Sequence, residues 1–261
     1  DGDFSSGATS STMTLSSGKW ETTLNIDPST KPFMTFATET PSVPAPIFYL
    51  PFDGDYIDGT GNSNDGTNFG TAIVTDGTRG QVAEFSNTDY ISVNTTLPTS
   101  FTKAAWVFVP TGTPVDYRCI ICNGYGANPQ IFWGNGEALK AGALSAGQVM
   151  YVYEGYNTFP KNSWQHVAVT YDTNTNRYSL YRNGAQVSTA IAGVDPADTT
   201  GPTLIGIFQA GFFMGWEGKM DDVEMWNVAL TDVEVGALYT GDTGVIPPTP
   251  TPPDAPTALS S

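Results

Sequence analysis

Four aspartates lie close together in a stretch rich in glycine and asparagine: Asp53, Asp55, Asp58 and Asp65. A loop of this composition that folds back on itself could direct several carboxylate and carbonyl oxygens at one point, as Ca²⁺ requires. Counted from Asp53, the stretch is not an EF-hand loop, because neither the sixth-position glycine nor the twelfth-position glutamate is present. Aspartate and asparagine also form turns without a metal, so both interpretations stay open.

Asp222 and Glu224 are the one pair of acids two residues apart on a convincing strand, so they share a face. A retaining glycosidase needs two carboxylates about 5 Å apart. The E-x-D-x-x-E pattern of glucanases is nevertheless absent, because Met220 stands where its first glutamate would be. His166 is the one histidine, and no nucleophile, base and orienting acid can be assembled around it. We therefore predict that the protein is not an enzyme.

The two cysteines form a single C-x-x-C, Cys119 to Cys122. No second pair accompanies it, which argues against a zinc site. In an extended strand, side chains three residues apart face opposite sides, so a disulfide would require a bend. We interpret both cysteines as ordinary strand residues.

Aromatic residues recur in and beside the glycine- and asparagine-rich loops of the middle of the chain. Sugars present flat CH faces that stack on such rings, while amide and carboxylate groups bind their hydroxyls. We predict that four rings contact a ligand: Tyr125, Trp133, Tyr153 and Trp216. The competing interpretation is packing, which we assign to Trp106 and Trp164, and we expect Trp164 and Val169 to be near full burial.

The composition excludes several classes of protein. Twenty-eight glycines and nineteen prolines, with few long helix-favouring runs, indicate an all-β chain. The formal net charge is −16, with only ten Lys and Arg, which argues against nucleic acid and favours an extracellular protein. No run of eighteen apolar residues is present, so we expect no membrane insertion.

Proline-rich stretches divide the chain into three parts. Residues 1–45 comprise a predicted β-hairpin, with strands at 20–26 and 33–38, and a linker over 40–46. Residues 46–240 form the main domain. Residues 241–261 are a second proline-rich linker followed by the start of a possible fibronectin-III module. An isolated hairpin is marginally stable in water, so this one must pack on the main domain or on a neighbouring copy.

Three phrases of the main domain resemble laminin-G-like domains. They are the opening F-Y-L-P-F-D-G-D-Y-I-D-G-T-G-N-S-N-D-G-T of residues 48–67, the strand W-Q-H-V-A-V-T-Y of 164–171, and the pentraxin-like closing strand, in which Asp221-Asp222-Val223 precedes Met225-Trp226. The resemblance implies a two-sheet antiparallel jelly-roll sandwich of the concanavalin A-like kind. It also implies a structural calcium whose ligands would be Asp53, Asp58, Asp65 and Asp222.

The expected function is a non-catalytic extracellular recognition or adhesion module, carbohydrate-binding, within a larger surface or appendage protein. Its partner would be a glycan or cell-surface polysaccharide, neutral or calcium-bridged, because the negative charge repels a bare polyanion. The alternative is a structural subunit or decoration protein of a filament, phage or cell-surface assembly, which self-assembles through the N-terminal hairpin. The oligomeric state distinguishes the two.

Overall fold

The computed structural model describes residues 14–16, 19–21, 42–113, 118–123, 130–134, 138–145, 148–155, 158–191, 201–208 and 215–241. The chain divides into two compact units, Asp1–Glu39 and Thr40–Ser261.

The first unit contains a hairpin that the sequence did not predict. Strands β1 (Thr14–Ser16) and β2 (Lys19–Glu21) pair antiparallel, with Leu15 opposite Trp20. The predicted first strand at 20–26 overlaps β2 only at its start. The rest of it, and its predicted partner strand at 33–38, lie outside the described residues.

The second unit is an antiparallel two-sheet sandwich, which confirms the predicted fold. The seven-stranded sheet has the order β12-β11-β10-β9-β16-β7-β4, and the eight-stranded sheet has the order β15-β14-β13-β8-β17-β6-β5, with β3 paired to β17. The strands are β3 (Phe48–Leu50), β4 (Gly66–Phe69), β5 (Ala72–Asp76), β6 (Gly80–Ser86), β7 (Tyr90–Val93), β8 (Phe101–Phe108), β9 (Arg118–Asn123), β10 (Gln130–Gly134), β11 (Leu139–Ser145), β12 (Gln148–Tyr153), β13 (Trp164–Asp172), β14 (Arg177–Arg182), β15 (Ala185–Ile191), β16 (Thr203–Ile205) and β17 (Glu217–Trp226).

Alternation along the central strands determines which residues fill the core. Val107, Val167 and Val169 belong to the large hydrophobic cluster between the sheets. On the opposite face of the eight-stranded sheet, Ala104 and Ala168 belong to a second, smaller cluster. Successive strand residues point to opposite faces, so the same strands supply both layers.

Helix α1 (Asp232–Thr240) covers part of that outer face. It begins with a capping box, in which Thr231 Oγ1 accepts from the Glu234 backbone N–H while the Glu234 carboxylate accepts from the Thr231 N–H. Val235 is buried in the smaller cluster, whereas Val233 is 66% exposed.

The first proline-rich stretch packs on the domain instead of acting only as a linker. Val43 is buried, and the Pro44 carbonyl accepts a hydrogen bond from Trp226 Nε1 at 2.8 Å. The second such stretch, with the predicted fibronectin-III start, lies outside the described residues.

Cys119 and Cys122 form a disulfide within β9, which corrects the interpretation of two unpaired strand residues. The ladder between β9 and β10 supplies the bend that an ideal strand lacks. Phe132 pairs with Ile121 while its neighbour Trp133 pairs with Cys119, so Ile120 is an extra residue on β9. Such a bulge changes the direction of the strand locally.

Candidate functional site

The predicted calcium loop is organised around the Asp58 carboxylate. It accepts hydrogen bonds from the backbone N–H groups of Tyr49, Thr60 and Asn64 and from the Thr60 hydroxyl. Burial opposes ionisation of Asp58, but these hydrogen bonds outweigh it and lower the pKa below its usual range. Asp65 accepts from the Asp58 N–H at 2.8 Å. Asp58 and Asp65 therefore hold the turns of the loop together.

The other two predicted calcium ligands lie differently. Asp53 is exposed, and Asp222 lies in β17, where its carboxylate accepts from the Tyr49 hydroxyl and from Arg79 Nη2. Over the described parts of the chain, no group of three or more His, Cys, Asp or Glu residues is placed to hold a metal ion. Calcium binding stays a prediction, and chelation tests it.

A bulge in β17 gathers acidic side chains on the outer face of the eight-stranded sheet. Asp221 pairs with Trp106 and Glu224 with Ala104, and the register shifts between the two pairs. Asp222 occupies the bulge with φ 46°, a left-handed conformation that aspartate tolerates better than most residues. The extra residue brings Asp221 and Glu224, three apart in sequence, to the same face.

Arg79 connects these acids to the aromatic side chains beside them. It reaches from the β5–β6 turn, donates from Nε to Asp221 Oδ2 at 2.6 Å, and donates from Nη2 to Asp222. Its guanidinium carbon lies 4.2 Å from the ring centroid of Trp106. The result is a planar cation that is stacked on a ring and held by two carboxylates.

Burial perturbs the acids of this cluster. It raises the pKa of Asp221 to about 7, with repulsion from Asp222 in the same direction and Arg79 opposing both. It also raises the pKa of Glu224 well above the usual range, and Asp222 adds to the effect. The pKa of Tyr49 is raised by burial and by Asp222. Asp222 and Glu224 were the pair of acids weighed for glycoside hydrolysis. Because Arg79 and Tyr49 already bind the Asp222 carboxylate, that acid is engaged within the protein.

Two more aromatic rings continue this face. Trp164 pairs with Phe108, with ring centroids 5.6 Å apart, and Phe108 pairs with Lys219, whose Nζ lies 5.8 Å from the Phe108 ring. Asp76 accepts from Trp164 Nε1 at 3.1 Å and from Lys219 Nζ at 2.9 Å. We call this set the aromatic–ionic surface: Asp76, Arg79, Trp106, Phe108, Trp164, Lys219 and, from α1, Tyr239, whose ring is 5.7 Å from that of Trp106.

The charged groups of this surface hold its rings in place. Burial opposes ionisation of Asp76, but hydrogen bonds from Lys219, Thr78 and Trp164 prevail and lower its pKa to about 2. Asp76 is therefore ionised at any pH well above 2, and it orients the Trp164 indole by accepting the hydrogen bond from Nε1. His166, opposite Trp106, is buried, and burial together with Arg79 lowers its pKa to about 3.

The assignment of Trp106 and Trp164 to the core was wrong. Both are only partly buried and lie on the outer face, whereas Val169, on the inner face, is 1% exposed as expected. The alternation along β8 carries the signal that was missed. Thr102, Ala104, Trp106 and Phe108 share one side of the strand, opposite the side of Val107.

The four rings predicted to bind a ligand lie in different parts of the molecule. Tyr125 lies outside the described residues. The backbone register places Trp133 opposite Lys140 and Lys140 opposite Tyr153, so two of the four belong to one cross-strand row of the seven-stranded sheet. Tyr153 is 43% exposed.

Trp216 was assigned wrongly as a ligand-binding ring, because it is 1% exposed in the core. The glycine beside it has a packing role. A Cβ at Gly215 would lie 1.5 Å from the Asn87 carbonyl oxygen, so the backbones approach too closely for any side chain.

The two packed sheets define the chain as an antiparallel β-sandwich. Residues 85–236 match the sequence model of the family described as the concanavalin A-like lectin/glucanases superfamily, Laminin_G_3. The match spans more than half of the chain, and the protein belongs to this family. No curated protein sequence matches the chain significantly.

Several solved structures have a similar fold. Domain 4 of AbnA, a GH43 extracellular arabinanase from Geobacillus stearothermophilus solved with arabinotriose, is 17% identical with a TM-score of 0.60, over 74% of this chain and 98% of that domain. The binding domain of Paraclostridial mosquitocidal protein 1 is 16% identical with a TM-score of 0.61, over 75% of this chain and 52% of its own.

The receptor-binding domain of botulinum neurotoxin type G is 15% identical with a TM-score of 0.60, over 75% of this chain and 51% of its own. The chain thus spans about half the length of the two toxin domains. At these identities the likeness shows the fold. Among the described residues, no helix has the length and apolar character needed to cross a membrane.

Proposed function

We propose that this protein is a non-catalytic carbohydrate-binding module. The aromatic–ionic surface is the observation that carries the proposal. Three large rings lie side by side on the solvent face of a sheet, outside both hydrophobic clusters of the described core. A row of partly buried rings bordered by fixed carboxylates and cations offers a sugar both apolar contact and hydrogen-bond partners.

The rings of this surface are positioned before any ligand arrives. Trp164 is fixed by Asp76 at its indole N–H and by Phe108 at its ring, while Trp106 lies under Arg79. A site that is already ordered loses less conformational entropy on binding. This favours binding of a ligand by the rings and by the polar groups around them.

The absence of catalysis is part of the proposal. The acids gathered in β17 are bound by Arg79 and Tyr49, and burial favours the neutral form of Glu224. An acid and a nucleophile for glycoside hydrolysis would both have to face a substrate. The Asp222 carboxylate instead accepts hydrogen bonds from the Tyr49 hydroxyl and from Arg79.

We place the module outside the cell, as part of a surface, adhesion or appendage protein, with a glycan or cell-surface polysaccharide as partner. The Cys119–Cys122 disulfide supports an oxidising compartment. The net charge of −16 supports neutral glycans over polyanionic ones.

A glycan-array screen with and without calcium tests the proposal. A bound neutral glycan is expected, and Trp164→Ala should abolish the signal while far-ultraviolet circular dichroism stays unchanged. Phe69→Ala is the matched control, because Phe69 is 44% exposed but stacks on Tyr90 in the other sheet. A blank array in both conditions from a polymeric protein would replace this proposal with the structural-subunit alternative.

A further inference from the structure

One cross-strand row runs over the outer face of five neighbouring strands. Ala72 pairs with Glu84, Glu84 with Lys219, Lys219 with Phe108, and Phe108 with Trp164. Residues directly opposite each other on adjacent strands point to the same face. The aromatic–ionic surface therefore continues past Lys219 to the strand edge at Ala72.

The far end of this row opens into a cleft of about 310 Å³. Ala72 and Glu84 line the cleft, together with Asp89 and Glu217. A volume near 300 Å³ is at the lower end for small-ligand sites. Since two of its lining residues are also members of the row, the cleft and the aromatic–ionic surface form one continuous track.

The length of the track is set by the spacing of the strands. Five strands span four intervals of about 4.8 Å, or roughly 19 Å from Trp164 to Ala72. The exposure of the side chains to solvent increases from Trp164 toward Ala72. Trp164, Phe108 and Lys219 are partly buried, and Glu84 and Ala72 are exposed. A ligand that filled the track would be an extended chain.

The chemistry also changes along the track. Rings stand at one end, and three carboxylates stand around the cleft at the other: Glu84, Asp89 and Glu217. Glu217 Oε2 pairs with Arg118 Nη2 at 3.1 Å, and 41% of the Glu217 side chain stays exposed. A carboxylate accepts hydrogen bonds from hydroxyl groups and repels another carboxylate or a sulfate. Asp89 Oδ2 already accepts from the Ser86 N–H and hydroxyl, so its orientation is fixed.

We propose that this track binds the interior of a neutral oligosaccharide several residues long, with its rings on Phe108 and Trp164 and its hydroxyls donating to Glu84 and Glu217. This inference rests on the proposed carbohydrate binding and specifies its ligand class. A single terminal sugar would use the rings and leave the cleft empty. Chain length is therefore the variable that reveals the track.

Titration calorimetry with neutral oligosaccharides of increasing length is the test. The probes are arabinose to arabinopentaose and glucose to cellopentaose, measured on the intact chain. We expect affinity for one series to rise at least about tenfold between the disaccharide and the pentasaccharide, equivalent to about 1.4 kcal/mol. Glu84→Gln and Glu217→Gln should reduce the pentasaccharide affinity toward that of the disaccharide and leave the disaccharide unaffected. Asp55→Asn, at an exposed acid in another loop, is the control.

The outcomes separate this inference from the function on which it rests. A monosaccharide that binds as tightly as the pentasaccharide would overturn the track and leave carbohydrate binding standing. Unchanged pentasaccharide affinity in both glutamate variants would do the same. If no member of either series binds and the glycan array is also blank, both proposals are overturned together.

Discussion

Replacing Arg79 with alanine tests how the aromatic–ionic surface is held together. The substitution removes the partner of two carboxylates and the cation stacked on Trp106. The Asp221 side chain is 6% exposed, so it would be left as a buried acid without its counter-ion, whereas Asp222, 31% exposed, is partly compensated by solvent. Removing one partner of a buried ion pair lowers the free energy of unfolding by about 3–5 kcal/mol. Because solvent partly screens this pair, we expect a loss near the lower end of that range.

We expect Arg79→Ala to lower the free energy of unfolding by about 3 kcal/mol at pH 8, including the lost stacking. For a domain of this size the melting temperature should fall by roughly 6–12 °C. The loss should be smaller at pH 5. Burial already raises the pKa of Asp221 to about 7, and without Arg79 it rises further, so protonation at low pH removes the unpaired charge.

Urea unfolding followed by tryptophan fluorescence at pH 8 and pH 5 measures both effects. Arg177→Ala is the control, since this arginine is exposed and donates only a 3.2 Å hydrogen bond to Thr189. A change below about 1 kcal/mol, or one as large at pH 5 as at pH 8, would refute our reading of the cluster.

Three further predictions concern His166, Asp58 and calcium. His166→Gln should make the stability of the protein less sensitive to acid. The native pKa of about 3 lies below the unfolded value, so the stability of the wild type relative to the variant should fall by about 1.4 kcal/mol per pH unit from pH 6 to pH 4, measured by urea titration, and a flat difference would contradict this. Asp58→Ala should cost about 2–4 kcal/mol in the same assay, because several partly buried donors lose their acceptor, and a loss no greater than that of exposed Asp55→Ala would contradict it. If calcium binds, chelation should lower the melting temperature and Asp53→Ala should abolish that drop, whereas an unchanged melting curve would contradict calcium binding.

Much of the fold was predictable because its signals are local. The capping box at Thr231 and Glu234 needs only three residues of separation. Alternation in β8 and β13 likewise marks which residues face the core. The disulfide was missed because a bulge at Ile120 depends on pairing with β10, which no pattern within 119–122 encodes.

The candidate site was less predictable, because its parts are distant in sequence. Arg79 contacts Asp221 across 142 positions, and a lone arginine in a turn gives no sign of such a partner. The bulge at Asp222 likewise depends on which strands become neighbours. A glycine next to an aromatic residue does not by itself indicate that the ring is open to a ligand. Beside Trp216, Gly215 is needed because its backbone packs closely against Asn87.

Binding of neutral glycans to the outer face of the eight-stranded sheet can be observed in a two-dimensional ¹H–¹⁵N spectrum recorded during titration with a bound oligosaccharide. Single tryptophan variants assign the indole signals. We expect the Trp164 and Trp106 indole signals to shift and saturate together, while backbone signals near Tyr153 stay in place. Shifts confined to the region of Tyr153, with both indole signals unmoved, would place the site on the other sheet and overturn the proposal.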